Sequence, residues 1–252
     1  MWDKTYRLAT PKFLGDDLSS LAVLTGGKKM TVKASFFRLK GREMIALIPS
    51  ENIEEIVVKA NVPANRGENG AERDILQRCQ TTVRLLDVIK GSERSMDVKK
   101  MAEEAERRLI SLSLLRSEKD LRSAWILYIV LFASIMALGV ARVALVLING
   151  GPLDFLLLPM GFFAMGMVTY GRPKRPTILG HKFLREVRAD MRWAISTLEQ
   201  GKWPAGVDAG KLVTLFGAET VGLHPVFRDL KNAFPDGVSY SSLFEYSNES
   251  MD

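Results

Sequence analysis

Two long uncharged segments constrain the fold of this chain more than any other feature. Residues 124–141 contain no charged side chain, and neither do residues 155–170; a turn signal, NGGP at 149–152, separates them. Each segment is close to the roughly 17–20 residues that a helix needs to cross the hydrocarbon core of a bilayer. The pattern therefore predicts two membrane helices joined by a tight turn, within residues 123–171.

The alternative is a helical hairpin buried inside a soluble domain. A helix on the surface of a soluble core has a polar stripe on its outer face. Residues 124–141 offer only Tyr128 and Ser134 as polar side chains. This composition favours the membrane interpretation over the soluble one.

Positive charges flank both uncharged segments, whereas the turn between them has none. The flanking residues are Arg107, Arg108, Arg116, Lys119, Arg122, Arg172, Lys174, Arg175, Lys182 and Arg185. Because Lys and Arg are enriched on the cytoplasmic side of membrane helices, both termini are predicted to be cytoplasmic. Trp125, Tyr128 and Tyr170 lie near the same ends, where aromatic rings favour the headgroup layer.

Small and polar residues within the hairpin suggest how its helices contact each other. Ala133, Ala137 and Ala141 recur at every fourth position and form a small-sided face that allows close helix packing in lipid. Arg142 lies near the predicted end of the first span, where a long side chain can reach headgroup phosphates or Asp154. An anchoring role for Arg142 is favoured over the alternative, a functional charge inside the membrane.

The composition adds bounds on the compartment. The 252 residues carry a formal charge of +6, much of it beside the spans, so membrane orientation accounts for the basicity before nucleic acid is invoked. The single cysteine, Cys79, excludes an internal disulfide and fits a reducing compartment. It lies on the apolar face of a predicted helix, which favours a core role over a nucleophilic one. The first residues are polar and show no cleavable signal, so the hairpin is expected to direct its own insertion.

Residues 1–61 are predicted to form a winged-helix-like module. Asp16 or Asp17 can cap a first helix that ends at Gly26 and Gly27 in left-handed geometry. A second helix is predicted from about residue 31 to Gly41. Two β-rich segments, 44–48 and 53–60, then indicate a two-stranded wing.

The remaining segments are predicted to be mainly helical. Residues 62–70 indicate a linker, and residues 71–122 a second winged-helix-like module: one helix over 71–86, an interruption at 91–92, a helix after Asp97 and a short strand at 110–115. Residues 172–235 indicate three helices: one from a Thr177 cap to Gly201, one at 210–218 and one beginning at Pro225. Residues 236–252 are predicted to be a frayed tail.

The order of these signals resembles a widespread family of bacterial membrane proteins of unknown function. The similarity rests on the Gly-Gly-x-Lys unit within 21–29, LGVAR at 138–142, NGGP at 149–152, RPTILGHKFL at 175–184 and LVTLFGAETVGLHPVF at 212–227. It implies winged-helix-like units before a membrane hairpin, in a multi-pass protein of the bacterial inner membrane. The family has no assigned reaction, so the resemblance implies a topology and leaves the function open.

No pattern in the sequence indicates catalysis. The two histidines, His181 and His224, are far apart, and no Cys/His cluster has zinc spacing. Nucleophile, Walker and dinucleotide-binding motifs are absent. We therefore expect a non-enzymatic protein with no cofactor, no metal and no small-molecule substrate.

A basic helix is the main candidate interaction surface. Its cations are Lys28, Lys29, Lys33, Arg38, Lys40 and Arg42. They suit DNA phosphates, anionic lipid or a protein partner. Glutamates at 51, 54 and 55 would place negative charge on the wing, which disfavours DNA. We expect membrane lipid and a protein partner or self-association, as in a scaffold or adaptor; the alternative is a membrane-tethered DNA-binding regulator.

Overall fold

A computed structural model describes residues 10–11, 17–48, 56–149 and 175–234. Within these residues the chain is mainly helical, and its strands form one small three-stranded sheet. The predicted mainly α class is therefore confirmed. The predicted second span, the turn at 150–152 and the tail at 236–252 lie outside the described residues.

The first helix, α1 (Leu18–Gly41), contains the predicted break. The Asp17 carboxylate caps its start by accepting hydrogen bonds from the amides of Ser19 and Ser20, at 3.1 and 3.2 Å. At Gly27 the backbone leaves helical geometry with φ 64° and ψ −147°, a conformation open to glycine but strained for other residues. The helix therefore consists of two segments, as the paired glycines predicted.

A small antiparallel sheet follows α1. Strand β1 (Ile45–Ile48) pairs with β2 (Val57–Ala60), with Ile45 opposite Ala60 and Ile48 opposite Val57. This confirms that the two β-rich segments pair. The sequence did not predict the third strand, β3 (Val83–Arg84), which pairs with the other edge of β2.

Sheet pairing divides the region where one helix was predicted over 71–86, so that prediction is wrong. Helix α2 (Gly70–Arg78) ends before Cys79, whose carbonyl accepts a hydrogen bond from the Ala60 amide at 2.7 Å. Val83 then lies opposite Val58 in the sheet. Contacts with β2, which are remote in sequence, override the local helical periodicity.

Two further helices complete this region. Helix α3 (Leu85–Glu93) continues through the predicted interruption at 91–92, and the break falls at Arg94 and Ser95. Helix α4 (Met96–Ser111) extends into the predicted strand at 110–115, where only Leu115 forms a single bridge. The 62–70 segment contains a short 3₁₀ helix, Ala64–Arg66.

The longest element, α5 (Glu118–Asn149), is an uninterrupted helix of 32 residues. Ser117 stabilises its start, because the Ser117 hydroxyl accepts from the Asp120 amide at 3.2 Å and donates to the Asp120 carboxylate at 2.7 Å. This reciprocal contact satisfies a backbone donor that the first turn leaves without a partner.

After residue 174 the chain forms shorter helices. They are α6 (Ile178–Asp190), α7 (Arg192–Glu199), α8 (Ala209–Phe216), α9 (Ala218–Val221), a 3₁₀ turn (Pro225–Phe227) and α10 (Arg228–Ala233). Thr177 caps α6 as predicted, but a break at Met191 divides the predicted helix in two. Gly201, with φ 74°, ends this region as predicted.

We call the described residues 17–48, 56–116 and 175–234 the body, and the second half of α1 lies at its centre. Helices α4 and α8 pack against it, and Phe36 and Phe37 are fully buried. A Cβ atom on Gly210 of α8 would lie 2.5 Å from the Ala34 carbonyl oxygen, so α8 can approach this closely only without a side chain there. Buried residues from before and after α5 belong to one apolar cluster. The proposed domain boundaries stay predictions.

Replacing Thr177 should destabilise the body. Its hydroxyl donates to the Ser113 carbonyl at 2.7 Å and accepts from the Gly180 amide at 3.0 Å, and the residue is buried. We expect Thr177→Ala to lower the free energy of unfolding by about 1–2 kcal/mol. Chemical unfolding of the purified full chain, followed by tryptophan fluorescence, measures this loss.

Thr177→Ser is the matched control because it keeps the hydroxyl and removes only a methyl group. It should cost less than Thr177→Ala. Equal losses in the two variants would show that the hydroxyl contributes little.

Candidate functional site

Two backbone segments are joined where the chain leaves the body and returns to it. Leu115 and Pro176 form an antiparallel bridge. The Arg116 amide donates to the Arg175 carbonyl at 2.9 Å, and the Thr177 amide donates to the Leu114 carbonyl at 3.0 Å. We call residues 114–116 and 175–177 the stem. The segment 117–174 therefore starts and ends at the same place on the body.

Helix α5 extends from the stem with apolar side chains exposed. Over Glu118–Leu145 the mean hydropathy reaches 2.3, and no residue of the 18-residue window that gives this value is buried. Leu138, for example, is 73% exposed. Among the described residues, α5 is the one helix long and apolar enough to cross a membrane.

The charged residues on α5 are spaced to match a bilayer. Arg122 and Arg142 lie twenty positions apart with no charge between them, a separation of about 30 Å along a helix, close to the thickness of the hydrocarbon core. Trp125 and Tyr128, three and six positions after Arg122, are in edge-on contact, with ring centroids 5.6 Å apart. The Ser134 hydroxyl donates to the Val130 carbonyl at 2.8 Å, so it is satisfied within the helix and would need no partner in lipid.

The predicted packing face on α5 is accessible. Ala133, Ala137 and Ala141 are exposed, as is Arg142. Asp154 and the predicted second span at 155–170 lie outside the described residues. The helix packing and the polar pair between Arg142 and Asp154 stay predictions.

The six predicted basic-surface residues do not form one surface. Lys28 and Lys29 are exposed beside the break in α1, and Lys40 is half-buried. Lys33 is only 8% exposed, and its Nζ lies 6.0 Å from the centroid of the Phe234 ring. Most of the helix that was expected to face a partner is thus in the core.

Arg38 and Arg42, the other two cations, contact acidic residues. Arg38 lies 2.8 Å from Glu68, 2.6 Å from Asp208 and 3.3 Å from Glu72. Arg42 donates to the Glu68 carboxylate at 2.5 Å. This hydrogen bond lowers the pKa of Glu68 below its usual value, so the contact is fully ionised at neutral pH.

The acidic residues fix the ends of neighbouring helices. Glu72 is 0% exposed and accepts from the Glu68 amide at 2.8 Å and from the Asn69 side chain at 3.0 Å. Asp208 caps α8 by accepting from the Gly210 amide at 2.8 Å. The network therefore connects α1, the start of α2 and the start of α8.

Sequence reasoning missed these acidic partners. One signal was present: Asn69 and Glu72 have the spacing of a capping box, and Asp208 directly precedes an apolar helical segment. These patterns predict helix starts. They do not predict that both acids meet Arg38.

The depressions, candidate metal ligands and cysteine of the described residues bear on possible chemistry. Two depressions of about 360 and 250 Å³ flank Arg38 and Asp208, whose charged groups already contact each other. No group of three His, Cys, Asp or Glu residues in the described parts of the chain could hold a metal ion. Burial raises the pKa of Cys79 to about 12, so its thiol is a poor nucleophile.

Comparisons with models of protein families, with curated proteins and with solved structures found no match to this chain. The resemblance to a family of bacterial membrane proteins therefore stays an expectation from short motifs. The function has to be argued from the stem, α5 and the surface of the body.

The buried carboxylate of Glu72 should contribute strongly to stability. Glu72→Ala leaves Arg38, the Glu68 amide and the Asn69 amide group without this acceptor, and we expect a loss of about 3 kcal/mol in unfolding free energy. Denaturant unfolding of the full chain measures it. The control is Glu103→Ala, which removes an exposed glutamate 3.9 Å from Lys99 and should cost under about 0.5 kcal/mol. Similar losses in both variants would contradict the role assigned to the network.

Proposed function

We propose that this protein is a non-enzymatic scaffold or regulatory adaptor anchored in the bacterial inner membrane. In this proposal α5 and residues 155–170 form a transmembrane hairpin, with both termini in the cytoplasm. The helical body, including the winged-helix-like unit, docks a protein partner at the cytoplasmic face. No cofactor or small-molecule substrate enters the proposal.

The stem is the observation that carries the proposal. A chain that crosses a bilayer once ends on the opposite side, whereas the two sides of the stem are hydrogen-bonded to each other. Helix α5 extends about 48 Å, and the 22 residues that follow the predicted turn, 153–174, would extend about 33 Å as a helix, enough to cross back. An even number of crossings therefore satisfies both the apolar helix and the stem.

The burial of α1 favours protein docking over DNA binding. A recognition helix needs an exposed face to enter a major groove, but residues 31–37 of α1 are all buried. Exposed Lys28 and Lys29 and half-buried Lys40 are the cations that would remain for DNA in this helix, because Arg38 and Arg42 contact acids. The predicted winged-helix-like module thus suits a structural or docking role.

The body also exposes large apolar side chains that do not belong to α5. They are Ile48, Met96, Trp193, Leu223 and Val226. Trp193, 52% exposed, is the largest, and exposed aromatic side chains are common anchors of protein interfaces. We take Trp193 as the first position to test for partner contact.

Cysteine labelling in intact cells tests the topology. A membrane-impermeant maleimide should label Asn149→Cys, at the far end of α5, from outside the inner membrane. It should label Lys90→Cys, on exposed α3, only after lysis. Native Cys79 is buried, so it should react little with the maleimide. Labelling of Lys90→Cys in intact cells would overturn the proposed orientation.

Photo-crosslinking in cells tests partner docking. A photoreactive amino acid at position 193 should give a discrete crosslinked product, whereas the same group at exposed position 59 on β2 should not. A product twice the mass of the chain would identify a second copy as the partner. Absence of any product at 193, together with salt-sensitive binding of the detergent-solubilised full chain to duplex DNA at about 50 mM salt, would favour the DNA-binding alternative.

A further inference from the structure

The net positive charge of the protein is concentrated around the stem. Residues 106–122 and 175–186 contain eight Lys or Arg and four Asp or Glu, a net charge of +4 out of +6 for the whole chain. The stem brings these two segments together although they are remote in sequence. The charge is therefore a local feature of one part of the surface.

Several of these cations point to solvent. Arg122 is 81% exposed, with only a loose contact of 3.8 Å to Glu118. Arg107, at the end of α4, and Lys119, in the first turn of α5, are also exposed. By contrast, Arg108 and Arg175 pair with acids of the body, so they hold the stem region together.

The outer face of α6 continues this surface. Ile178, Lys182 and Arg185 follow the spacing i, i+4, i+7, which places them on one side of the helix. The opposite side, with Leu179 and Phe183, is buried in the core. Ile178 is 49% exposed and directly follows the stem. An apolar side chain beside two long cationic ones is the pattern of a helix face at a membrane surface.

We propose that these residues form a cationic collar that binds the headgroups of anionic phospholipids in the leaflet that α5 enters. The collar consists of Arg107, Lys119, Arg122, Ile178, Lys182 and Arg185. This inference rests on the proposed membrane anchor and adds a lipid preference to it. Lys119 and Arg122 lie within about 6 Å, along the helix, of the first uncharged residue of the span, well inside the roughly 10 Å over which salt screens charges.

Position favours lipid over other anions. The stem fixes the collar at the base of α5, so the bilayer is the surface that these cations meet first. Each cation near an anionic leaflet strengthens association by about fivefold. Ile178 adds an apolar contact that a soluble phosphate or a nucleic acid backbone would not use.

Lipid competition on the full chain tests the collar. The protein is purified in detergent with equal amounts of phosphatidylglycerol and phosphatidylcholine, and native mass spectrometry measures the lipids that remain bound. The wild-type chain should retain the anionic lipid with a preference of at least about tenfold. The triple variant Lys119→Gln, Arg122→Gln and Lys182→Gln should reduce this preference to about twofold or less.

A charge-matched control separates the collar from net charge. Lys59→Gln, Arg73→Gln and Lys90→Gln remove the same charges from exposed positions on β2, α2 and α3. This variant should keep the wild-type preference. Equal retention of both lipids by the wild-type chain, or equal loss of preference in both variants, would overturn the collar.

The outcome also separates this inference from the proposed anchor. A chain that stays soluble without detergent would contradict both the proposed membrane anchor and the proposed collar. A chain that incorporates into lipid nanodiscs but shows no preference between the two lipids would contradict the collar and leave the anchor standing.

Discussion

The rest of the structure depends on the pairing of the two sides of the stem. Bringing together residues about 60 positions apart costs on the order of 4 kcal/mol in loop-closure entropy for a flexible loop. Local contacts offset this cost: Leu114 and Leu115 are buried, and Thr177 bonds to Ser113. The backbone at Gly180 also packs closely on the stem, because a Cβ atom there would lie 2.3 Å from the Leu114 carbonyl oxygen. The proposed membrane hairpin would lower the cost further, because it would bring its two ends close together before the stem pairs.

The stem also decides which helices can build the core. Helix α8 packs along α1, and Phe227 stacks on Phe37 with ring centroids 5.7 Å apart. Both partners of α1 in these contacts follow residue 174 in the chain. The central helix is thus completed only after the chain has returned from the segment 117–174. A fragment ending before α5 would lack α8 and expose much of the α1 surface, so experiments on the body require the full chain.

Local signals predicted much of the fold, whereas contacts between remote segments were not predictable. Asp17, Gly27, Thr177 and Gly201 begin, break or end helices as their side chains or glycine geometry indicate. The helix predicted over 71–86 failed because Val83 pairs with β2, which no local periodicity reports. The basic helix was correctly placed as a helix, but its burial depends on α8, far along the chain. Of the candidate site, the apolar span was visible in the sequence, and the stem and the ion pairs of Arg38 were not.

The geometry of the stem constrains how the body would sit on a membrane. Helix α5 begins at Glu118, and its uncharged stretch begins at residue 123, about 7 Å further along the helix. No flexible tether separates the body from the start of the span, and a second attachment returns at Arg175. Two attachments at one point restrict tilting more than a single linker would. In the proposed orientation the same face of the body would be held toward the bilayer, so a protein partner would approach through the faces that point away from the stem.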